Sequence, residues 1–528
     1  MLNFAEWTTK TGRSRANAPA LIDPHLKITR TFEDLWTRNQ LLAHGLQDVL
    51  GAGRGARVAV LSRNCLEYIE LYLACAATGT LLFPLNWRQS SALNVGALKD
   101  AEPTVVFYDH AFAAEAEVLR PGAPNARWIE WQTGAHCAYE ALLDEVSTAS
   151  ETLEPLPDPA SLLHEPYLAV STGGTTGTPK CAVHSQSTYA GNMLNYLAAQ
   201  RIAADDVFMM LGQFFHVTGY MPFAHLCLGR PIVVTNFDAE ETVRVINAEG
   251  VTSFFCIATM LPRLVEVLRQ TGTETPTVRL VGYGGARMGE EVIRSASELF
   301  NAEMLQIWGM SEFGTGTTLG PEAHRAALSG RQPELLRSCG RPALLSDIKV
   351  VDPSGATVPR DGSTVGELCH RGTNNMLSYW HKPEETASLL RDGWVHSGDG
   401  AVWDESGYVY IVDRIKNMII SGGENIFPAE IERVIANIPG VAEVSVVGSP
   451  DDVWGEVVRA VVVVSAEASV TADSITLAVE RELGSYRKPR IIDFVPVLPM
   501  TPTGKIDLRA VRSLPISGAT GSEAPRKI

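Results

Sequence analysis

Ten residues, STGGTTGTPK (171–180), put three glycines, four threonines, a serine and one lysine side by side. Glycines let backbone N–H groups turn toward a ligand, hydroxyls add neutral donors, and Lys180 adds a positive charge, which together are the chemistry of a phosphate cradle. The spacing is not that of the common nucleotide loop, because Thr178 and Pro179 separate Gly177 from Lys180 and Cys181 follows it. The run is therefore a phosphate loop of another kind or a flexible linker, and the apolar flanks weigh for the loop. In QIWGMSE (306–312), Trp308 offers a flat face for an aromatic base and Glu312 a carboxylate suited to a divalent cation. The plainer alternative is a core tryptophan and a surface glutamate. Asp399 in HSGD (396–399) can accept hydrogen bonds from two adjacent hydroxyls or pair with Arg414 in VDRIKN (412–417). His216 in FFHVTGY (214–220) sits among aromatics, where packed core histidines are commoner than bases, and Lys505 in PTGKID (502–507) lies in a polar turn.

These residues need a framework. PYLAVS (166–171) leads into the first loop as a buried strand. Further on, β-branched runs alternate with helix-like segments: ARVAVLS before YIELYLACAATG, then TVVFYD, PIVVTNF, TSFFCIA and VRLVGYGG, the last three each followed by an amphipathic helix. The alternation predicts an α/β fold whose large N-terminal domain holds two largely parallel sheets. After about residue 340, turn signals such as Asp-Pro, Ser-Gly and Asp-Gly between short strands predict a small barrel-like β subdomain. From residue 413 the order helix, strand, strand, helix predicts a small, mobile α+β domain. The expected division is 1–412, a hinge at 413–417, a C-terminal domain at 418–512 and a flexible tail at 513–528.

Composition narrows the partners. The 528 residues carry 44 Lys+Arg against 60 Asp+Glu, a formal charge of -16, which argues against nucleic acid or an anionic membrane as the main partner. Any anionic ligand must be captured by local basic groups. Eight scattered cysteines without a C-x-x-C pair read as reduced thiols of a cytoplasmic protein. The N-terminus lacks a signal-peptide core, and the most apolar stretch, YIELYLACAATGTLLFPLN, contains Glu70 and reads as a buried helix running into a strand. No integral membrane contact is expected.

The loop at 171–180, QIWGMSE, HSGD, DRIKNMIISGGENIFPAEIE (413–432) and PMTPTGKIDLR (499–509) occur in that order. Together they resemble the ordered motifs of the adenylate-forming superfamily, which includes acyl- and aryl-CoA synthetases, nonribosomal-peptide adenylation domains and luciferases. The resemblance covers nearly the whole chain and is strongest to AMP-forming acid:CoA ligases. It implies two steps: a carboxylate and ATP give acyl-AMP and pyrophosphate, then the thiol of coenzyme A displaces AMP. By that resemblance Thr172, Thr175, Thr176, Gly177 and Lys180 hold the phosphates, although the family usually has serine where this chain has Gly173. Gly284, Gly285, Ala286 and Arg287 in GYGGARM, with Gln306, Trp308, Gly309, Met310 and Ser311, border adenine and the acyl group. Glu312 and Thr175 hold Mg²⁺. Asp399, Ile411 and Arg414 line the ribose, and Lys505 reaches the carboxylate and α-phosphate. His216, with Val217 and Gly219, forms the wall or gate of the acyl pocket; no base is needed, since the acid binds as carboxylate.

The same resemblance implies that the C-terminal domain rotates about Lys416 between the half-reactions, one face presenting Lys505 and the other the loop Ser421, Gly422, Gly423. Coenzyme A contacts are expected from Arg88, Trp454, Tyr486, Lys488 and Arg490, or these basic residues form a solvated face. FFHVTGYMPFAH (214–225) and WGMSEFGTGTT (308–318) offer no Lys or Arg, so the expected substrate is a hydrophobic mono-carboxylic acid with an aryl, alicyclic or medium-length body. Gly314 and Gly316 are expected to leave room for it. The competing expectations are an adenylating enzyme that passes the acyl group to an amine or to a separate carrier protein, one that performs adenylation alone, and a non-catalytic homologue. Residues 510–528 are too few for a carrier domain, so any carrier is expected to be a separate protein, and the expected state is a monomer or homodimer.

Overall fold

The computed structural model describes residues 4–131, 137–149, 153–172, 180–422, 424–465, 469–500 and 506–516. The chain divides into two compact units, one made of Met1–Ile348 and Cys369–His396, the other of Lys349–Leu368 and Ser397–Ile528.

The first unit holds two large sheets. In the nine-stranded one, Glu303–Trp308, Leu280–Gly284, Ser253–Ile257, Phe208–Met210, Ile232–Val234 and Pro19–Asp23 run parallel in that order. Antiparallel strands flank the set, Ile28–Thr31 on one side, Thr317–Leu319 and Arg341–Pro342 on the other. The β-branched runs form these strands because both faces are covered, so almost every position is buried. Between them the helices Ala239–Ala248, Leu261–Thr271 and Glu290–Phe300 bury one stripe each. Asp238 caps the first of these by accepting from the Glu241 amide, and Gly272 ends the second in the left-handed conformation.

In the seven-stranded sheet, Pro166–Ser171, Leu81–Pro84, Arg57–Leu61, Val105–Asp109 and Arg127–Trp131 are parallel, and Cys181–Ser185 and then Ser378–Tyr379 add antiparallel strands beyond Pro166–Ser171. That edge carries the glycine- and threonine-rich run. The apolar stretch expected to be a helix running into a strand is helix Leu66–Thr78 followed by strand Leu81–Pro84. Its Glu67 and Glu70 are buried but paired: Arg30 meets both, Arg38 meets Glu70, and the Tyr139 hydroxyl donates to Glu70 at 2.5 Å. Among the described residues no helix is long and apolar enough to cross a membrane. All eight cysteines are free thiols.

The segment after residue 340 forms a five-stranded sheet of Ser346–Val351, Gly366–Gly372, Trp394–Trp403 and Leu390–Arg391 in that order, with Val409–Arg414 also pairing to Trp394–Trp403. In the second unit a further sheet orders Glu424–Ile426, Ile419–Ser421, Gly455–Val464 and Val441–Asp451, with Ile491–Phe494 parallel to Gly455–Val464. Helices Pro428–Ala436 and Ala472–Leu483 bury Ile431, Val434, Ile435, Ile475 and Val479 in a core with Val446, Val458 and Val462. A buried ion pair joins Arg459 to Asp493 at 2.7 Å, and Arg459 also donates to the carbonyls of Arg512, Leu514 and Pro515. The tail from 517 lies outside the described residues.

Candidate active site

The strands on either side of the run at 171–180 pair with each other. Strands Pro166–Ser171 and Cys181–Ser185 pair antiparallel with Ser171 opposite Cys181, and the Thr172 amide donates to the Lys180 carbonyl at 2.7 Å. Thr172 and Lys180 are thus fixed at the base of the loop, whereas Thr175, Thr176 and Gly177 lie outside the described residues. The Lys180 ammonium stands 5.1 Å from the centre of the Tyr379 ring, a cation–π contact. The Tyr379 hydroxyl in turn donates to Glu312 Oε1 at 2.5 Å, and only 5% of Glu312 is exposed. Burial first, and then the charge of Glu312, push the Tyr379 hydroxyl well above its ordinary value, so it stays a donor. The basic and acidic residues picked out 132 positions apart in sequence therefore meet on one aromatic side chain.

Glu312 follows strand Glu303–Trp308, and strand register brings a second motif beside it. Gly284 pairs with Ile307 and Tyr283 with Gln306. A Cβ at Gly284 would lie 2.4 Å from the Ile307 carbonyl oxygen, so the close approach of the two strands requires glycine there. Gly285, Ala286 and Arg287 beyond it are exposed, and the Gln306 side-chain oxygen is buried without a hydrogen-bond partner. Trp308 packs on Phe313 with ring centres 5.2 Å apart, and Phe313 stacks on His370 at 4.0 Å.

The loop after Trp308 is tightly wound. The Met310 carbonyl accepts from Phe313 and Gly314, and the Trp308 carbonyl accepts from Gly316 at 2.9 Å. The Ser311 carbonyl accepts from His184 Nε2 at 2.8 Å; burial lowers His184 to about 4, so the ring is neutral with its proton on that nitrogen. Asn192 Oδ1 accepts from the Thr315 amide at 2.9 Å, and Asn374 donates to the Phe313 and Thr315 carbonyls. These packed partners overturn one expectation. Gly314 and Gly316 do not open space for a substrate: a Cβ at Gly314 would fall 2.2 Å from Asn192 Oδ1, and one at Gly316 2.7 Å from both the Phe313 and Trp308 rings. At Gly309 a Cβ would collide with the Gly314 carbonyl at 1.5 Å. The three glycines let the loop fold onto itself.

His216 is half-buried against Phe215, with ring centres 4.4 Å apart, and its carbonyl starts the single turn Val217–Gly219 that leads into helix Tyr220–Cys227. Gly219 fits closely under Tyr72 and the Phe214 carbonyl. Arg88 lies 4.9 Å over the Trp87 ring, and Arg63, which the motif reading passed over, lies 5.5 Å from the same ring.

In the second unit, Asp399 and Arg414 face each other on paired strands and form an ion pair at 2.7 Å, with a second guanidinium N–H donating to the Ser397 carbonyl. The salt-bridge alternative is therefore realised, and it leaves room for the other, since a carboxylate carries several lone pairs. Ile411 lies on the same strand, paired with Ala401. Lys416, on the turn Ile415–Asn417, has its pKa lowered first by burial and then by Arg414, Arg509 and Arg512. Ser421 pairs with Gly455, and the Gly422 amide donates to the Trp454 carbonyl at 2.9 Å. A Cβ at Gly422, which has φ +59°, would lie 2.5 Å from the Trp454 indole, whose ring also carries Arg490 at 4.6 Å. Gly422, Trp454 and Arg490 are thus one cluster. Lys488 instead pairs with Glu480, and exposed Tyr486 packs on Arg487. Gly423 and Lys505 lie outside the described residues; the chain around the latter is bridged from Met500 to Ile506, and the Asp507 amide donates to the Pro499 carbonyl.

Motif reading missed Tyr379, His184, Asn192 and Asn374. Each acts on a partner far away in sequence, and nothing in its local pattern marks it.

A sequence profile described as AMP-binding enzyme matches residues 8–380, and one described as AMP-binding enzyme C-terminal domain matches residues 430–505. The chain is 32% identical over 508 residues to a feruloyl-CoA synthase of Amycolatopsis sp, covering 95% of this chain and 97% of that protein. It is 32% identical to an indoleacetate–CoA ligase of Aromatoleum aromaticum, covering 88% and 89% of the two chains. Among solved structures, the amide bond synthetase McbA from Marinactinospora thermotolerans superposes with a TM-score of 0.84 at 26% identity, over 97% of this chain and 99% of that one.

Proposed function

Because the chain belongs to the AMP-binding enzyme family, we propose that it is an AMP-forming acid–thiol ligase acting on a hydrophobic mono-carboxylic acid. ATP and the acid give acyl-AMP and pyrophosphate; coenzyme A then takes the acyl group and AMP leaves. The observation that carries this reading is chain-long similarity to proteins named as CoA ligases of aryl and arylacetic acids.

The first step exchanges a poor leaving group for a good one, so its needs are alignment and charge neutralisation. Lys180 and the hydroxyls and amides of the loop it closes neutralise the β- and γ-phosphates. Glu312, a buried carboxylate held as an acceptor by Tyr379, has the chemistry to hold Mg²⁺ together with Thr175. Mg²⁺, when bound, would neutralise phosphate charge. Trp308 and the Gly284–Ile307 pair offer the flat walls suited to adenine, and Asp399 with Arg414 takes the ribose. Lys505 stabilises the charge that develops as the carboxylate attacks the α-phosphate. His216 and Val217 wall the acyl pocket.

For the second step, the cluster of Gly422, Trp454 and Arg490 would contact coenzyme A, and Arg88 is a further candidate contact. Rotation about Lys416, with domain limits at 412 and 418, would exchange the Lys505 face for the Gly422 face. A cytoplasmic location, supported by the free thiols, and a monomeric or homodimeric state complete the reading.

The test is AMP release across a panel of hydroxycinnamic, arylacetic, alicyclic and medium-chain acids, with and without coenzyme A. Turnover is expected to need the thiol. Because McbA is named as an amide bond synthetase, an amine acceptor belongs in the same panel. Multiple turnover with an amine and none with coenzyme A would overturn the thiol assignment while leaving adenylation intact.

A further inference from the structure

The segment 376–380 is laced to both charged ends of the first unit's site. The Met376 amide donates to the Glu312 carbonyl at 2.7 Å, and the Leu377 and Trp380 amides donate to the carbonyls of Val183 and Cys181, on the strand that Lys180 precedes. Tyr379 sits within this lacing: it pairs with Ala182, and its own amide donates to Thr386 Oγ1 at 2.9 Å. These bonds fix the backbone from which the Tyr379 side chain projects. Its ring lies under Lys180 and its hydroxyl donates to Glu312, so one residue sets the direction of a cation and of a carboxylate.

We infer that Tyr379 is a positioning residue for nucleotide binding: its hydroxyl orients Glu312 toward a divalent cation, and its ring holds Lys180 toward the phosphates. This rests on the ATP-dependent reading proposed above. The hydroxyl bond is short and buried, and partners of this kind behind a metal-binding carboxylate typically change metal affinity by about 10–100-fold when removed. The ring acts separately, through the ammonium alone. The two roles can therefore be split by substitution.

The experiment measures equilibrium ATP binding to the full chain by calorimetry, once in EDTA and once with saturating Mg²⁺, with thermal unfolding as a check of the fold. Tyr379→Phe keeps the ring and loses the hydroxyl. It should weaken binding in Mg²⁺ by about tenfold and change binding in EDTA by less than about twofold. Tyr379→Leu loses both and should weaken binding under both conditions. Unchanged affinity of Tyr379→Phe in Mg²⁺, or an equal loss in EDTA and in Mg²⁺, would overturn the inference, the second result being what a merely structural role produces. If Tyr379→Leu does not fold, the Phe variant decides alone. Wild-type protein that binds no ATP under either condition would sink the ATP reading itself, and this inference with it.

Discussion

Single side chains here do work that depends on their charge more than on their bulk. Asp399 is 6% exposed and shares its carboxylate with Arg414, so replacing it by alanine removes the proposed ribose acceptor and releases the arginine at once. Asp399→Ala should weaken ATP binding by about 1.5–3 kcal/mol, the range for a hydrogen bond to a charged group. If wild-type protein binds 2′,3′-dideoxy-ATP as tightly as ATP, the ribose assignment is wrong. Lys505→Ala should slow acyl-AMP formation by about two to three orders of magnitude, as deletion of one transition-state donor does. Given presynthesised acyl-AMP, the same variant should still make thioester at the wild-type rate, a split that single-turnover kinetics reads directly. The residue types at these positions were legible in sequence because charge and hydroxyl content survive without any fold. Tyr379 was not, because a tyrosine before a tryptophan says nothing about which carboxylate its hydroxyl will reach.

Elements decide how close the motifs come. Gly314 and Gly316 were read from sequence as room for a substrate, and the packing fills the space beside both with neighbouring side chains. Gly314 has φ +65° and abuts Asn192, so Gly314→Ala combines a strained backbone with a collision against a buried amide. It should cost about 1–3 kcal/mol of stability, measured by denaturant unfolding, with no widening of the acid panel. A variant of wild-type stability that accepts fewer acids would restore the pocket reading. In the second unit, Gly422→Ala must push the Trp454 ring aside. It should impair thioester formation while leaving pyrophosphate release within about twofold of wild type, since the indole and Arg490 are proposed to serve the second step. Equal loss in both half-reactions would count against the division of labour proposed for the two faces.

Across the whole molecule, acid should act first on the first unit. His184, His324 and His370 are lowered to about 4 and His225 to about 3, in every case mainly by burial. Their ordinary value is 6.5, so between that pH and about 4 the unfolded chain binds protons that the folded one refuses. Stability should therefore be intact above pH 7 and fall as pH drops through this window, by up to about 1.4 kcal/mol per histidine and pH unit. Urea midpoints at pH 7.5 and 5.0 test this, and equal midpoints would mean that these rings take up protons without unfolding. Much of the architecture was legible beforehand, because strands buried on both faces need continuous β-branched runs and covering helices need an apolar stripe, both of which are local patterns. VRLVGYGG and TSFFCIA announce the neighbouring strands Leu280–Gly284 and Ser253–Ile257 in this way. The ordered motifs likewise determined the family and the kinds of group present: a lysine loop, a carboxylate, an aromatic face, an Asp–Arg pair. Only the tertiary structure decided what those groups touch. It set Lys180 and Glu312 on one tyrosine, filled the space beside Gly314 with Asn192, and covered Gly422 with Trp454. Such contacts depend on strand register and on packing at about 3–4 Å between residues distant in the chain, and no local pattern encodes a distance.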